Sequence, residues 1–542
     1  MLEKLGLSQD GIKKWVKERA GIKTPPLKKS PDYMRKWGGK WYWTGALITT
    51  VFLYEVVTGL VLLLYYNPAS PYSATEYVLN NIPFGALLLS THLYGAYAMI
   101  VLVYVHMFRN YFVGAYKKPR EIQWIIGVIL LALTLGVGYF GYSLTGDVLS
   151  YNAQDVGKGI AGSIPVLGTF LVNIGFGNGT DVSLFSRFLG WHIIMAALIF
   201  LLFGYHFYLA EVNTMVPSGK ESHYRAPATT PETPSMKSWY PYNLLYLTEL
   251  GMLTIGFVIL VPSVLGLIPS VPILLSPFPG PSPTSIAASL IPPYPPWFLL
   301  FAYKAVDFSI FQGPTSALQA MTVFTVLPLL YFLLIPFLDR GESLHPFSRP
   351  ITTSLGILSI VYLIVMSLWG AFTPSVIISP PVMLEVLIPP AVVTIGGMFV
   401  ISRLWRSGRL KIGSRTIASS YFIFVAGLIA AVISLATLFG TSLKDPSGVT
   451  VTRILLSLGS ISFLALGTAK ATVQLPDVKM KGNHTLGYGV IVALLVITWG
   501  LVLFAAKLSP YHQEMLVGLI LGTVFILAGM SLAVYRRIAY GE

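Results

Sequence analysis

The sequence predicts an all-α, polytopic transmembrane protein of about twelve spans that opens with a four-helix bundle. Three observations carry that prediction. The 542 residues are 54% hydrophobic and only 11% charged, with a mean hydropathy of +0.71. Runs of about twenty apolar residues, the length that crosses a hydrocarbon core, recur along the chain. Lys and Arg collect in alternate connections, and half of the eight histidines fall inside apolar stretches in two pairs of identical spacing.

The spans read near 41–66, 83–108, 122–143, 187–210, 243–268, 319–338, 351–372, 380–402, 416–440, 452–472, 484–506 and 512–535. With these limits thirty of the 36 Lys and Arg residues lie on one side. The positive-inside rule then places both termini in the cytoplasm of a multi-pass cell-membrane protein. The net charge of +14 is therefore topological, and nucleic acid is not the expected partner. The N-terminus is polar and basic, without a cleavable signal pattern. Cysteine is absent, which excludes disulfides, Cys-ligated zinc, iron–sulfur clusters held by this chain, and haem attached through a C-x-x-C-H motif.

Residues 1–40 form a basic arm expected to lie along the cytoplasmic membrane surface. Residues 41–215 hold the first four spans. His92 and His106 lie in span 2, in STHLYGAYAMIVLVYVHMFRN, and His192 and His206 in span 4, in RFLGWHIIMAALIFLLFGYHFYLAE. Each pair is fourteen residues apart, nearly four helical turns and a rise of about 21 Å, so both members face one way. A lone imidazole in an apolar segment is more often a core residue than a ligand. Two pairs with one spacing are different, because ionisable groups in a membrane span are functional by default. Spans 2 and 4 run in the same direction. His92 therefore pairs with His192 at the outer level and His106 with His206 at the inner level. Two facing imidazoles across a helix bundle are the ligand set of a six-coordinate haem.

Gly45 and Gly59 in span 1, and Gly127 and Gly141 in span 3, are again fourteen apart. Glycine lets a flat ring approach a helix closely, so these spans are expected to close the pockets against the porphyrins. Arg109 and Arg187, near the inner and outer histidines, can neutralise haem propionates or anchor the helices at the interface. Glu55, inside span 1, needs a partner or a proton.

Residues 216–402 carry four more spans and a long Pro-rich connection, 269–318; the connection 144–186 is also long, and long ordered loops are often functional. Residues 403–542 add four spans and read as a packing or docking surface.

At this point the chain resembles cytochrome b of the quinol:cytochrome c reductase and b6f family, over roughly residues 40–400. Besides the histidine and glycine pairs, the resemblance rests on YKKPREIQW (Tyr116–Trp124), GYSLTGDVLS from Gly141, PPWFLLFAY (Pro295–Tyr303) and LHPFSRP before span 7. It implies two haems, type B or a modified type A, ligated by His92, His106, His192 and His206, with Arg109 and Arg187 at propionates. It implies an outer quinol-oxidation site walled by Tyr142–Asp147 and Pro295–Tyr303, including Trp297. One electron would go to a Rieske iron–sulfur protein, the other through the haems to an inner quinone site near Glu211. A c-type cytochrome, a blue copper protein or terminal oxidase subunits would follow the Rieske partner, and a homodimer is compatible with the family.

The chain departs from the pattern in places. Pro296 replaces the motif acid of the outer site, leaving Asp147, ahead of Tyr303 and Asp307, as candidate acceptors of the second quinol proton. Leu89 stands where a second outer arginine is expected, and Glu211 where the inner site has a histidine. The family's Lys-Asp pair at the start of span 5 is poorly matched, with Glu249 the nearest acid. The length and extra spans look like archaeal forms found in quinol oxidase supercomplexes. Two other readings are a twelve-span secondary transporter, whose layout would match, and a structural membrane subunit without haem. The transporter layout does not explain the histidine spacing.

Overall fold

The computed structural model describes residues 9–20, 29–35, 42–177, 183–214, 216, 225–229, 232–409 and 484–540. Its secondary structure is helical apart from three isolated bridges. Ten of the described helices are long and apolar enough to cross a membrane. They match ten of the twelve expected spans; those at 416–440 and 452–472 lie outside the described residues.

The short helix α1 (Gln9–Ala20) belongs to the basic arm. Helix α2 (Thr44–Leu63) is followed by the short α3 (Pro71–Asn81), the long α4 (Gly85–Phe112) and α5 (Glu121–Tyr142). The connection after α5 folds into α6 (Val148–Gly162) and α7 (Gly168–Gly175) before α8 (Leu184–Asn213). Helix α2 shows why a span of this kind stays upright in lipid. Leu53, Val57, Leu60 and Leu64 form an exposed apolar stripe, whereas Val51, Phe52 and Thr58 are buried. One face meets lipid and the other the bundle. Helices α2 and α4 pack together, as do α5 and α8, and α4 and α5 join the two halves.

Helix α9 (Leu244–Gly266) follows the bundle. The Pro-rich connection is ordered as 3-10 turns at Ile273–Leu275, Ile286–Leu290 and Trp297–Leu299, then α10 (Leu300–Val306). Helices α11 (Ser316–Met321) and α12 (Leu327–Leu338) join through a π turn into one span. Helices α13 (Pro350–Phe372) and α14 (Pro380–Arg406) complete this part. The prolines ending each preceding connection sit in the first turn of α13 and α14, where a missing N–H costs nothing.

Of the last third, α15 (His484–Ala505) and α16 (Glu514–Tyr540) are described. Helix α16 lies against α9, with Gly256 and Gly522 at the crossing: a Cβ on either would come within 2.8 Å of the other's carbonyl oxygen. Small residues let membrane helices close to backbone contact. The Glu514 carboxylate accepts from Leu87 N–H at 3.0 Å and Phe84 N–H donates to the Pro510 carbonyl at 2.8 Å. The start of α4 is thus capped by residues more than four hundred positions away.

Two motifs from opposite parts of the sequence meet at the end of the bundle where His106 and His206 lie. Lys117 bonds Asp339 at 2.8 Å and Arg349 reaches the same carboxylate at 3.4 Å. Tyr116 donates to it at 2.5 Å. Burial pushes the Asp339 carboxyl up, but the bonds from Lys117 and Tyr116 and the charge of Arg349 outweigh it and leave it below the ordinary carboxylate range. Its contribution to stability is then complete above about pH 3.9 and is lost as the pH falls through its lower folded value. Asp339→Asn is expected to cost about 3 kcal/mol at neutral pH. Thermal unfolding in detergent should show that gap at pH 7 and a smaller one as the pH falls below about 3.9; equal midpoints at pH 7 would refute it.

Candidate functional site

The four-helix arrangement brings the histidines of α4 and α8 face to face. The ring centroids of His92 and His192 are 6.5 Å apart, and those of His106 and His206 are 6.4 Å apart. The interplanar angles are 71° and 70°. Two imidazoles bound through nitrogen to one metal, each bond about 2 Å long, need centroids roughly 6 Å apart. The spacing at both levels suits that arrangement.

Hydrogen bonding orients the rings. Thr58 Oγ1 donates to the Tyr54 carbonyl at 2.8 Å, so it is an acceptor towards His92 Nδ1, 2.9 Å away. Glu55 Oε2 lies 3.1 Å from the same nitrogen. His192 Nδ1 donates to the Val137 carbonyl at 2.9 Å. Both rings therefore carry the proton on Nδ1, which leaves the Nε2 lone pair for a metal. His106 Nδ1 bonds Thr44 Oγ1 at 2.8 Å. His206 stands by the Gln123 backbone without a well-formed bond to it. This is the supporting shell that ligating imidazoles need. One contact opposes it: Asn110 Nδ2 lies 3.1 Å from His106 Nε2, and that amide must turn away before His106 can ligate.

Each glycine of the two pairs lies against one imidazole. A Cβ would meet His106 Cε1 at 3.5 Å from Gly45, His92 Cε1 at 3.2 Å from Gly59, His206 Cε1 at 3.1 Å from Gly127 and His192 Cε1 at 2.7 Å from Gly141. Their immediate neighbours are thus the histidine rings. The threonines went unnoticed in the sequence, although a signal was there: Thr44-Gly45 and Thr58-Gly59 are identical dipeptides fourteen residues apart. The backbone groups on α5 beside the rings follow a similar rule, since Val137 and Gln123 each precede one of these glycines by four residues.

Arg109 stacks over the Tyr42 ring at 4.4 Å and donates to Asn110 Oδ1 at 2.7 Å. Arg187 reaches the Asn173 carbonyl at 3.4 Å, and its Nε is buried without a hydrogen-bond partner. Glu55 lies on α2 between Gly45 and Gly59, with Oε2 3.1 Å from His92 Nδ1. Glu211 lies near the end of α8, half-buried. Glu249 pairs with Arg536 of α16 at 3.1 Å, and both side chains are buried.

At the His92 end, the Pro-rich connection packs on α4 and α5. Phe298 packs against Gly138 of α5, and Trp297 meets Tyr97 edge-on at 5.4 Å between centroids. Pro295 and Pro296 are buried, and Tyr142 packs against Val148, Leu149 and Ala288. The candidate proton acceptors differ from expectation. Asp147 is the N-cap of α6: Oδ1 accepts from Ser150 N–H at 2.8 Å and from Thr145 Oγ1 at 2.9 Å, and Oδ2 accepts from Gly280 N–H at 2.5 Å. It ties two loops together, and its carboxylate is buried and already accepts from three donors. The ranking of Asp147 first is corrected on that ground. Asp307 accepts from Lys304 at 2.9 Å, and Lys304, fully buried, also donates to the Thr373 and Val376 carbonyls. Burial pushes the Asp307 carboxyl up, and Lys304 offsets part of that. Tyr303 bonds Ser375 Oγ at 3.1 Å and is the most accessible of the three.

The fold and this site define a class: integral membrane proteins whose spans form a helical bundle with histidine pairs facing across it. Comparison with known proteins narrows it. Residues 97–283 match the family model described as Cytochrome b(N-terminal)/b6/petB. The chain is 36% identical to a cytochrome b of Sulfolobus acidocaldarius, over 97% of this chain and 98% of that one. It is 29% identical to a cytochrome bc complex cytochrome b subunit of Chlorobaculum thiosulfatiphilum, over 66% of this chain and 80% of the other. A solved hyperthermophilic respiratory Complex III chain superposes with a TM-score of 0.51 at 22% identity, covering 74% of this chain and 97% of its own, and shares the fold. The chain belongs to the cytochrome b family, and membership implies haem binding.

Proposed function

We propose that the chain is the di-haem subunit of a quinol-oxidising respiratory complex, with His92–His192 and His106–His206 as the axial pairs. The observation that carries this reading is the facing of two imidazole pairs at matched separations, with Nε2 left free on His92 and His192. Haem bound by two imidazoles supplies a low-spin relay for single electrons and has no position open to oxygen. The chain's own residues do the rest. Thr58, Thr44 and the Val137 carbonyl hold three rings in orientation, and the glycines keep α2 and α5 close against them. Arg187 and Arg109 are placed for anionic haem edges at the outer and inner level.

Quinol is oxidised beside the outer pair, between Tyr142 of α5 and the Pro295–Tyr303 segment. Two electrons and two protons leave each quinol. One electron goes to a Rieske iron–sulfur partner and the other crosses the membrane towards a quinone near Glu211. A c-type cytochrome, a copper protein or an oxidase subunit receives the Rieske electron. The first proton goes to the Rieske partner. With Asp147 occupied as a cap, Tyr303 is the better placed of the remaining side chains to orient the hydroxyl that loses the second. Both termini lie in the cytoplasm.

The test is a visible spectrum of the purified protein with haem quantified against protein. Sharp reduced-state bands and about two haems per chain are expected. A colourless, folded protein would refute the reading. Tyr303→Phe should slow quinol oxidation by about a hundredfold, the lower end of the range for lost acid–base assistance, and leave the haem spectrum alone. An unchanged rate would remove Tyr303 from the site.

A further inference from the structure

The two histidine levels are not equivalent, and one difference is a carboxyl group. His106 Nδ1 is held by the hydroxyl of Thr44, and His92 Nδ1 by the matching hydroxyl of Thr58. His92 alone adds a carboxylate oxygen, Glu55 Oε2 at 3.1 Å. Glu55 projects from α2 into the bundle, with 12% of its side chain exposed. Its second oxygen, Oε1, is buried and makes no hydrogen bond among the described residues. It occupies space that Gly95 of α4 leaves open: a Cβ on Gly95 would come within 1.9 Å of Oε1. An unsatisfied buried carboxylate oxygen costs free energy. The position nonetheless carries Glu, with a glycine opposite to admit it.

We infer that Glu55 is a positioning residue that makes the metal centre held by His92 harder to reduce than the one held by His106. A carboxyl oxygen held close to the Nδ1–H of a ligating imidazole makes Nε2 more electron-rich. A richer ligand favours the oxidised metal, and hydrogen bonding around the ligands is one of the levers by which a protein sets a haem potential. No bond is made or broken in this role. It makes electron transfer from the His92 level to the His106 level downhill, the direction the proposed function requires. The inference rests on that function only in taking His92 as a ligand.

Redox titration of the purified complex, followed at the haem bands, tests it without relying on turnover. In Glu55→Leu, Thr58 alone holds His92, as Thr44 holds His106. One of the two haem couples should move to higher potential by at least tenfold in its equilibrium constant, about 59 mV for one electron, while the other stays. Gly95→Ala, which must push the carboxyl aside without removing it, should move the same couple in the same direction, and it stands in if the leucine variant loses haem. Two couples at unchanged potentials in the variants would overturn the inference and leave the di-haem reading intact. A wild-type protein with no haem couples would refute the ligand assignment itself.

Discussion

Replacing His192 by leucine should remove one haem and leave the other largely in place. The two pairs are separate sites: the His92–His192 rings and the His106–His206 rings each face only across their own level, fourteen residues apart on both helices. Leucine fits the apolar α8, so the helix and its insertion should survive. His206→Leu should remove the other haem. Haem per chain should fall from about two to about one in each variant, and each variant's spectrum should lack a different component. Loss of both haems from one substitution would mean that the levels are coupled in folding. Retention of both would mean that His192 is not a ligand.

The pocket glycines should rank by the space the rings leave them. In alanine variants, haem loss is expected in the order Gly141, Gly127, Gly59, Gly45, following Cβ distances of 2.7, 3.1, 3.2 and 3.5 Å to the nearest imidazole carbon. Alanine is a better helix former than glycine by about 1 kcal/mol, so a loss of haem cannot come from weakening the helix. At Gly45 the added methyl makes ordinary contact, and nearly full occupancy is expected. At Gly141 it must displace His192, and most of that haem should go. Leucine at any of the four should empty its level. Equal occupancy in all four alanine variants would reduce these residues to packing glycines.

Much of this was legible in the sequence because membrane helices obey one-dimensional rules. Run length decides a span, and a shared fourteen-residue period decides which side chains lie on one face. The histidines and glycines could be paired by direction and depth alone. The Thr-Gly dipeptides carry the same period and could have been read the same way. Asp147 could not be placed so: acidic residues in loops look alike in sequence, and only the fold shows its oxygens taken by Ser150, Thr145 and Gly280.

The C-terminal third shows the other limit. A packing surface is what its sequence suggests, and α16 does pack along α9. Yet that Glu514 caps α4, and that Arg536 is the partner of Glu249, depends on contacts between residues hundreds of positions apart. Glu55 shows the same limit at shorter range. The sequence alone determined that a carboxyl lies inside α2 and that it needs a partner. The tertiary structure decided that the partner is His92, because the rotation of α2 against α4, set by packing at Gly59 and Gly95, selects which side chain meets which nitrogen.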